Sequence, residues 1–150
     1  MIIRPASLAD LDEIRVMLRE YAAWIEVDLR FQNFEEELAG LPGEYAAQRG
    51  RLLIAEGAGC VALRPLDEET CEMKRLYVRP DYRGSGLGRR LVVAIIEEAR
   101  AIGYRRMRLD TMLKMGGAQR LYESLGFRDI AAYRYNPEAG ARFLELELWG

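Results

Sequence analysis

The chain contains no histidine, and this absence removes more chemistry than any other feature of its composition. Without an imidazole there is no Ser-His-Asp or Cys-His nucleophile and no use of the commonest metal ligand, so no metal is expected. Acid–base work falls to carboxylates, tyrosine, lysine, cysteine or water. Cysteine is scarce too, with only Cys60 and Cys71, each in an apolar, strand-like stretch. They read as small reduced core residues rather than as a disulfide or a nucleophile. No apolar run is long enough to cross a bilayer, and the start lacks the basic and apolar regions of a secretory signal. The expected location is the cytoplasm, with no membrane partner. Repeats, low-complexity tracts and linkers are also missing. The 150 residues read as a single domain, 1–150, large enough to bury about 70% of the unfolded surface without a disulfide or metal.

Net charge is small, −2, but unevenly placed. Between positions 74 and 90 stand Lys74, Arg75, Arg79, Arg83, Arg89 and Arg90 against Asp81 alone, so this window carries +5 and the rest of the chain −7. A compact basic island in an acidic chain suits an anion of limited size. A nucleic acid would ask for a broader basic surface, so none is expected as a partner. Charge alone would equally suit a solvated face.

Hydrophobic periodicity orders the chain as β-α-α-β-β-β-α-β-α-β-β. Ile2-Ile3-Arg4 is a short strand stopped by Pro5. Ser7 to Asp10 resembles a capping box and opens a helix of roughly five turns through Leu11, Ile14, Leu18, Tyr21 and Ile25. Asn33 is placed to cap a short second helix whose first turn is acidic. Leu52–Ala55, Cys60–Leu63 and Cys71–Val78 form an antiparallel meander. Leu87–Ile102 is an amphipathic helix stopped by Gly103, and Met107–Thr111 runs parallel to the strand before it, because a helical crossover joins them. A short helix, Ala118–Leu125, ends at Gly126. Phe127–Tyr135 and Phe143–Trp149 close the chain as strands, the last alternating Leu144, Leu146 and Leu148 with Glu145 and Glu147.

The most informative segment joins the third strand of the meander to the long helix: Leu76-Tyr77-Val78-Arg79-Pro80-Asp81-Tyr82-Arg83-Gly84-Ser85-Gly86-Leu87-Gly88-Arg89-Arg90. Gly84, Gly86 and Gly88 remove Cβ atoms where a backbone must come close to something. They lie at a helix N-terminus, where unpaired N–H groups and the helix dipole favour an anion. Arg89 and Arg90 stand where that dipole disfavours cations, and a bound phosphate would offset the penalty. The loop lacks the G-x-x-x-x-G-K-[ST] of a P-loop. Gly84 and Gly86 fit the start of a dinucleotide fingerprint, but Arg89 occupies its third glycine position and Pro80 separates the loop from the strand.

Arg83-x-x-Gly86-x-Gly88, preceded by Leu76-Tyr77-Val78, resembles the acetyl-CoA signature of the GNAT acetyltransferase superfamily. Ala118-x-x-Leu121-Tyr122-x-x-x-Gly126-Phe127 is similar to that family's C-terminal motif, and the element order matches over essentially the whole chain. The resemblance implies an α/β fold with a central mixed β-sheet of about seven strands flanked by about four helices. It implies acetyl-CoA as co-substrate, with the backbone of Leu76 and Val78, flanking Tyr77, pairing with pantetheine like an added strand. The amides of Gly84, Ser85, Gly86, Leu87, Gly88 and Arg89 would hold the pyrophosphate, with Arg83 or Arg89 on the nucleotide phosphates. Tyr122 would protonate the departing thiolate; otherwise it is a helix tyrosine packed on the core. The family often carries Asn seven residues before that tyrosine, and here the position is Met115.

An amine acceptor arrives largely as ammonium and must lose a proton before attacking a thioester. Two carboxylates are candidate bases. Glu72 has the strand parity of Leu76 and Val78, on a strand where many family members carry a catalytic Glu. Asp110 ends the neighbouring strand, at a spacing from Tyr122 that resembles the base position of ribosomal-protein N-terminal acetyltransferases. Each could instead be an ion-pair partner of Lys74 or Arg108. The segment Tyr21–Phe34, with Trp24, Asp28, Phe31 and Glu35, and the later Tyr133, Tyr135 and Asn136, would shape the acceptor site. The expected function is acetyl transfer to a primary amine of a small molecule or peptide. The alternatives are a non-catalytic acyl-CoA-binding sensor and a nucleotide-binding regulatory domain. A homodimer is compatible with the sequence.

Overall fold

The computed structural model describes residues 1–25, 33–112, 116–138 and 140–149. Its elements are β1 (Ile3–Pro5), α1 (Leu11–Ile25), α2 (Phe34–Ala39), β2 (Arg51–Ala55), β3 (Gly59–Pro65), β4 (Thr70–Val78), α3 (Leu87–Ile102), β5 (Arg106–Thr111), α4 (Gly116–Ser124), β6 (Arg128–Ile130) and β7 (Arg142–Glu147). The strands form one seven-stranded sheet in the order β1-β2-β3-β4-β5-β7-β6. Among the described residues only β4 and β5 pair in parallel, as the crossover helix between them requires. This is the mixed sheet with flanking helices that the sequence implies.

Two apolar clusters cover the two faces. Leu91, Val92, Ile95, Ile96 and Ala99 of α3 pack with Val61, Leu63, Cys71, Met73 and Leu109 on one face. Ile14, Met17, Leu18, Tyr21 and Ile25 of α1 pack with Ile54, Cys60, Ala62 and Tyr77 on the other. The start of α1 is fixed by Asp10, whose carboxylate accepts from the Ser7 backbone N–H at 2.7 Å and from Arg4 at 2.7 Å. Asn33 differs from expectation. It precedes α2 in a left-handed conformation (φ 55°) and makes no side-chain cap. The expected last-but-one strand, Phe127–Tyr135, is also shorter, because only Arg128–Ile130 pairs with β7. Beyond it Tyr133 and Arg134 turn inward to the buried Glu72, which draws the chain off the sheet edge.

The middle of β4 departs most from simple alternation. Cys60 pairs with Tyr77 and Ala62 with Lys74, so the two strands contribute unequal numbers of residues between these pairs. Such a bulge needs one residue off the β conformation, and Arg75 takes φ 61°. Its guanidinium pays for that conformation with a fork onto Glu37 of α2, Nη2 to Oε1 at 2.7 Å and Nε to Oε2 at 2.9 Å. The bulge inverts the phase of β4. Cys71 and Met73 face α3, and so do Leu76 and Val78. Lys74, paired with Ala62, and Tyr77, paired with Cys60, lie on the α1 face. The expected common parity of Glu72 with Leu76 and Val78 is therefore wrong: Glu72 pairs with Arg64 and lies on the α1/α2 face.

The strands also separate at this point. β4 and β5 pair at Thr70–Arg106, Cys71–Met107 and Glu72–Arg108, and the ladder stops there. Gly59, opposite Val78, lets β3 close on the far half of β4, since a Cβ there would lie 2.5 Å from the Tyr77 carbonyl oxygen. We predict that Gly59→Ala lowers unfolding stability by about 1–3 kcal/mol, the usual cost of overpacking. Urea denaturation checks it, and an unchanged midpoint would show that β3 and β4 part freely.

Candidate functional site

A cavity lies where β4 and β5 part. This narrow space of about 20 Å3 is lined by Met73, Leu76, Leu109 and Tyr122 from the α3/α4 side and by Tyr21, Lys74, Arg75 and Met112 from the α1 side, with Asp110 between. A larger groove of about 310 Å3 is walled by Leu76, Val78, Trp24, the loop from Tyr82 to Gly88 and the start of α4. Leu76 borders both spaces. The pair thus forms a groove on the face of α3 and, beside it at Leu76, a slot between β4 and β5 lined from both faces of the sheet.

The groove is built by the glycine loop. Pro80–Tyr82 form a turn, and Arg83 folds back so that its Nε donates to the Val78 carbonyl at 2.9 Å. The Ser85 hydroxyl donates to the Tyr82 carbonyl. Gly84 (φ 80°) and Gly86 (φ 86°) occupy left-handed conformations, and a Cβ on either would meet no protein atom within 4 Å. Those glycines are needed for backbone shape, and the space beside them is open. Leu87 begins α3 at once, so its unpaired N–H groups face an open, apolar-walled groove. Of the expected loop residues, Leu76, Val78, Arg83, Gly84, Gly86, Leu87 and Gly88 line the groove. Tyr77 points to the α1 face, where its hydroxyl donates to Glu20. Arg89 is exposed and donates to Ser124. The Arg83 guanidinium lies 4.4 Å from the Trp24 ring centre, so the end of α1 roofs the groove. The open glycine floor and helix N-terminus suit a pyrophosphate, and the apolar wall at Leu76, Val78 and Leu121 suits a pantetheine arm.

The three expected catalytic residues separate. Tyr122 is 2% exposed and packs its ring on Phe127 at 5.6 Å. It lines the slot, and burial raises its hydroxyl well above the ordinary tyrosine value, so it stays protonated. Asp110 lines the same slot and accepts from Asn136 Nδ2 at 3.0 Å. Glu72 does not border it. Its carboxylate is wholly buried, accepting from Arg64 Nε at 2.9 Å and the Tyr133 hydroxyl at 2.6 Å, and it pairs with Arg134.

Of the expected acceptor-side residues, Tyr21 lines the slot and Trp24 the groove. Phe34 is buried under the Arg75 guanidinium, and Glu35 pairs with Arg19 at the surface. Asn136 holds Asp110, Tyr133 holds Glu72, and Tyr135 is mostly exposed. Asp28, Phe31 and Met115 lie outside the described residues. Sequence reasoning passed over Lys74 as a catalytic candidate and read it as part of the basic island and as an ion-pair partner. It lines the slot because of the bulge, which leaves no trace in residue periodicity. Cys60 and Cys71 are buried, and burial pushes both thiols up to about 12, which makes them inert.

A seven-stranded mixed sheet with a glycine loop at the start of its crossover helix is the arrangement that the sequence resemblance implies. Comparison with known proteins gives the family. The acetyltransferase (GNAT) family matches residues 11–127, and the chain belongs to that family. It is 40% identical to an uncharacterized N-acetyltransferase of Schizosaccharomyces pombe, over 93% of this chain and 89% of that one. A Dictyostelium discoideum N-acetyltransferase is 30% identical over 92% and 94% of the two chains. A Salmonella typhimurium structure with its cofactor acetyl-CoA superposes with a TM-score of 0.76 at 25% identity, covering all of this chain and 95% of that one. The chain is an acetyl-CoA-dependent N-acetyltransferase. No helix among the described residues is long and apolar enough to cross a membrane.

Glu72 generates a prediction about stability. Glu72→Ala would leave the Arg64 and Arg134 guanidiniums, each only partly exposed, without their shared counter-charge. We expect a loss of about 3 kcal/mol, in the range for breaking a buried ion pair. Chemical denaturation of Glu72→Ala measures it, and a loss under about 1 kcal/mol would mean that solvent already screens the cluster.

Proposed function

We propose that this enzyme moves acetyl from acetyl-CoA to the primary amine of a small molecule or peptide by direct attack on the thioester, with the CoA arm in the groove and the amine entering the slot from the α1 side. The observation that carries this reading is the slot itself. Its lining comes from both faces of the sheet and it shares Leu76 with the groove, which supports approach of donor and acceptor from opposite sides. Acetyl-CoA when bound supplies an activated carbonyl, and the chain supplies position, proton traffic and exclusion of water. The loop amides from Gly84 to Arg89 hold the pyrophosphate, and the split edge of β4 at Leu76 and Val78 accepts the pantetheine arm.

Tyr122 donates a proton to the departing sulfur. Its burial, which keeps the hydroxyl protonated, supports this role. Asp110 faces the incoming ammonium. Of the two carboxylates considered as base, it alone lines the slot, while Glu72 serves as the anchor for Arg64, Tyr133 and Arg134. A relative offers one acceptor to try first: a thialysine N-epsilon-acetyltransferase of Sus scrofa, 26% identical over 93% of this chain and 94% of that one. Thiol release from acetyl-CoA with thialysine, other free primary amines and peptide N-termini tests the reading. Thermal stabilisation by CoA without release of thiol for any amine would favour the non-catalytic sensor.

Two variants probe the donor side. At Gly88 a Cβ meets only Val78 Cγ2, at 3.8 Å, and the backbone is not left-handed, so Gly88→Val adds bulk to the groove without the strain expected at Gly86. Gly88→Val is expected to lose at least tenfold in CoA affinity while keeping its far-ultraviolet circular dichroism. Undiminished affinity would remove the phosphate from this loop. Tyr122→Phe keeps the ring but deletes the hydroxyl. Turnover should fall about 10–100-fold with little change in acetyl-CoA affinity, because only the transition state loses a partner. Equal turnover with chemistry rate-limiting would mean that water protonates the thiolate.

A further inference from the structure

We propose that the amino group of Lys74 is the base of this enzyme, taking a proton from the acceptor ammonium at the α1 side of the slot so that the neutral amine can attack the thioester. The proposal rests on the amine-acetylating function above and names the group that a chain without histidine uses for its proton transfer.

The placement comes from the bulge. Residues 74 and 75 both serve the α1/α2 side, where regular alternation would have sent one of them to α3. Arg75 is tied to Glu37, and Lys74 lines the slot together with Asp110 and Tyr122. Lys74 is 8% exposed. Among the described residues, charged or titratable groups facing it include Tyr21 from α1, Glu37 from α2, Arg64 from β3, Arg75 from β4, Asp110 from β5 and Tyr122 from α4. Burial lowers the amine most, and repulsion from Arg75 and Arg64 adds to it. Glu37 and Asp110 oppose both, and the group comes to about 7. A substantial fraction of Lys74 is thus neutral at neutral pH. Tyr122, raised by burial, is not available as a base.

Magnitudes separate an amine base from a carboxylate. A lysine-like ammonium titrates near 10.4 and a carboxylate of ordinary strength near 4, so proton transfer to such a carboxylate runs uphill by about six decades. Transfer to an amine titrating at about 7 runs uphill by only about three. An N–H bond of the ammonium breaks and its proton goes to the Lys74 nitrogen. The freed lone pair forms the new C–N bond, and the C–S bond breaks with its electron pair on sulfur. Tyr122 protonates the sulfur and is reprotonated from the second N–H of the acetylated nitrogen, and Lys74 releases its proton to water. Asp110 holds the ammonium beforehand and then offsets the charge on Lys74.

The test combines a titration with kinetics. In the protein without ligand, the side-chain NMR signal of Lys74, assigned by its loss in Lys74→Arg, should titrate between about pH 6 and 8. A midpoint near 10 overturns the proposal, whether or not any acceptor has been found. With thialysine or whichever amine the screen yields, wild-type kcat/KM should rise with pH and level off above about 7. In Lys74→Met it should fall at least 100-fold at pH 7 and keep rising through pH 9, since only amine that arrives neutral can react. Lys74→Arg keeps the charge but cannot act as a base, and should behave like Lys74→Met. Hydroxylamine, unprotonated at neutral pH, should be acetylated by Lys74→Met at near the wild-type rate, which shows that the folded donor side is intact. A wild-type profile in Lys74→Arg overturns the proposal, as does loss of the plateau in Asp110→Asn but not in Lys74→Met. Acetylation of Lys74 itself on incubation with acetyl-CoA would make it an acceptor instead. Absence of thiol release from the wild type with every amine and with hydroxylamine would count against the transferase reading and leave the titration to decide on Lys74.

Discussion

The ion pair between Arg75 and Glu37 is the interaction on which the site depends. A left-handed conformation at a non-glycine residue costs on the order of 1–3 kcal/mol. A charge-assisted, two-pronged hydrogen bond to a partly buried carboxylate is worth about as much, so the fork can hold Arg75 at φ 61°. Burial works to raise Glu37, but Arg75 outweighs it and keeps the carboxyl below its ordinary value, so the pair stays charged at neutral pH. The same guanidinium lies over the rings of Tyr21 and Phe34, which ties α1 and α2 to the bulge. One contact therefore sets the phase of β4 and docks both helices over it.

From the phase of β4 follows the division of labour at the slot. The apolar pair Leu76 and Val78 is turned to the groove, while the charged Lys74 and Arg75 are turned to the opposite face. Had β4 run without a bulge, the residue at 74 would share a face with Leu76 and Val78, and a lysine would sit in the groove. The end of the β4–β5 ladder at Glu72 completes the arrangement, because the strands cannot stay paired past the bulge. Glu72 closes the paired end on Arg64, Tyr133 and Arg134, and Asp110 begins the open end, accepting from Asn136 and lying 4.0 Å from Arg134. Two carboxylates that look alike in the sequence are thereby separated into an anchor and a group beside the cavity.

What could be read in advance divides along physical lines. The amphipathic repeat of α3, its glycine stop at Gly103, the parallel β5 and the glycine loop are local features with local causes, and all appear where the residues place them. The facing of Glu72 was misread because parity counting assumes an unbroken strand. The residue that breaks it is an arginine, whose left-handed conformation is stabilised by Glu37, 38 positions earlier in the chain. Nothing within a few residues of Arg75 announces a bulge, as a glycine would have done. The short β6 failed for a similar reason. Ala131 to Tyr135 could extend an edge strand, but the partners that compete for Tyr133 and Arg134 belong to β4. Lys74 escaped notice because its role depends on both the bulge and the burial, and neither is a property of its neighbours in sequence.

The missing histidine is then a constraint that this architecture meets by burial. An imidazole titrates near neutrality without help, whereas lysine and tyrosine must be moved or held by their surroundings. Here one environment acts on both in useful directions. Removal from water raises the tyrosine hydroxyl and lowers the lysine amine, because in each case the charged form is the one penalised. Two groups that line one narrow slot thus become a protonated hydroxyl and a partly neutral amine through a single cause. The basic neighbours Arg64 and Arg75 reinforce the effect on Lys74, and their own charges are balanced by Glu44, Glu72 and Glu37. The charged cluster around the slot is therefore more than scaffolding: pairing the arginines keeps them buried beside the lysine, where their repulsion lowers its proton affinity.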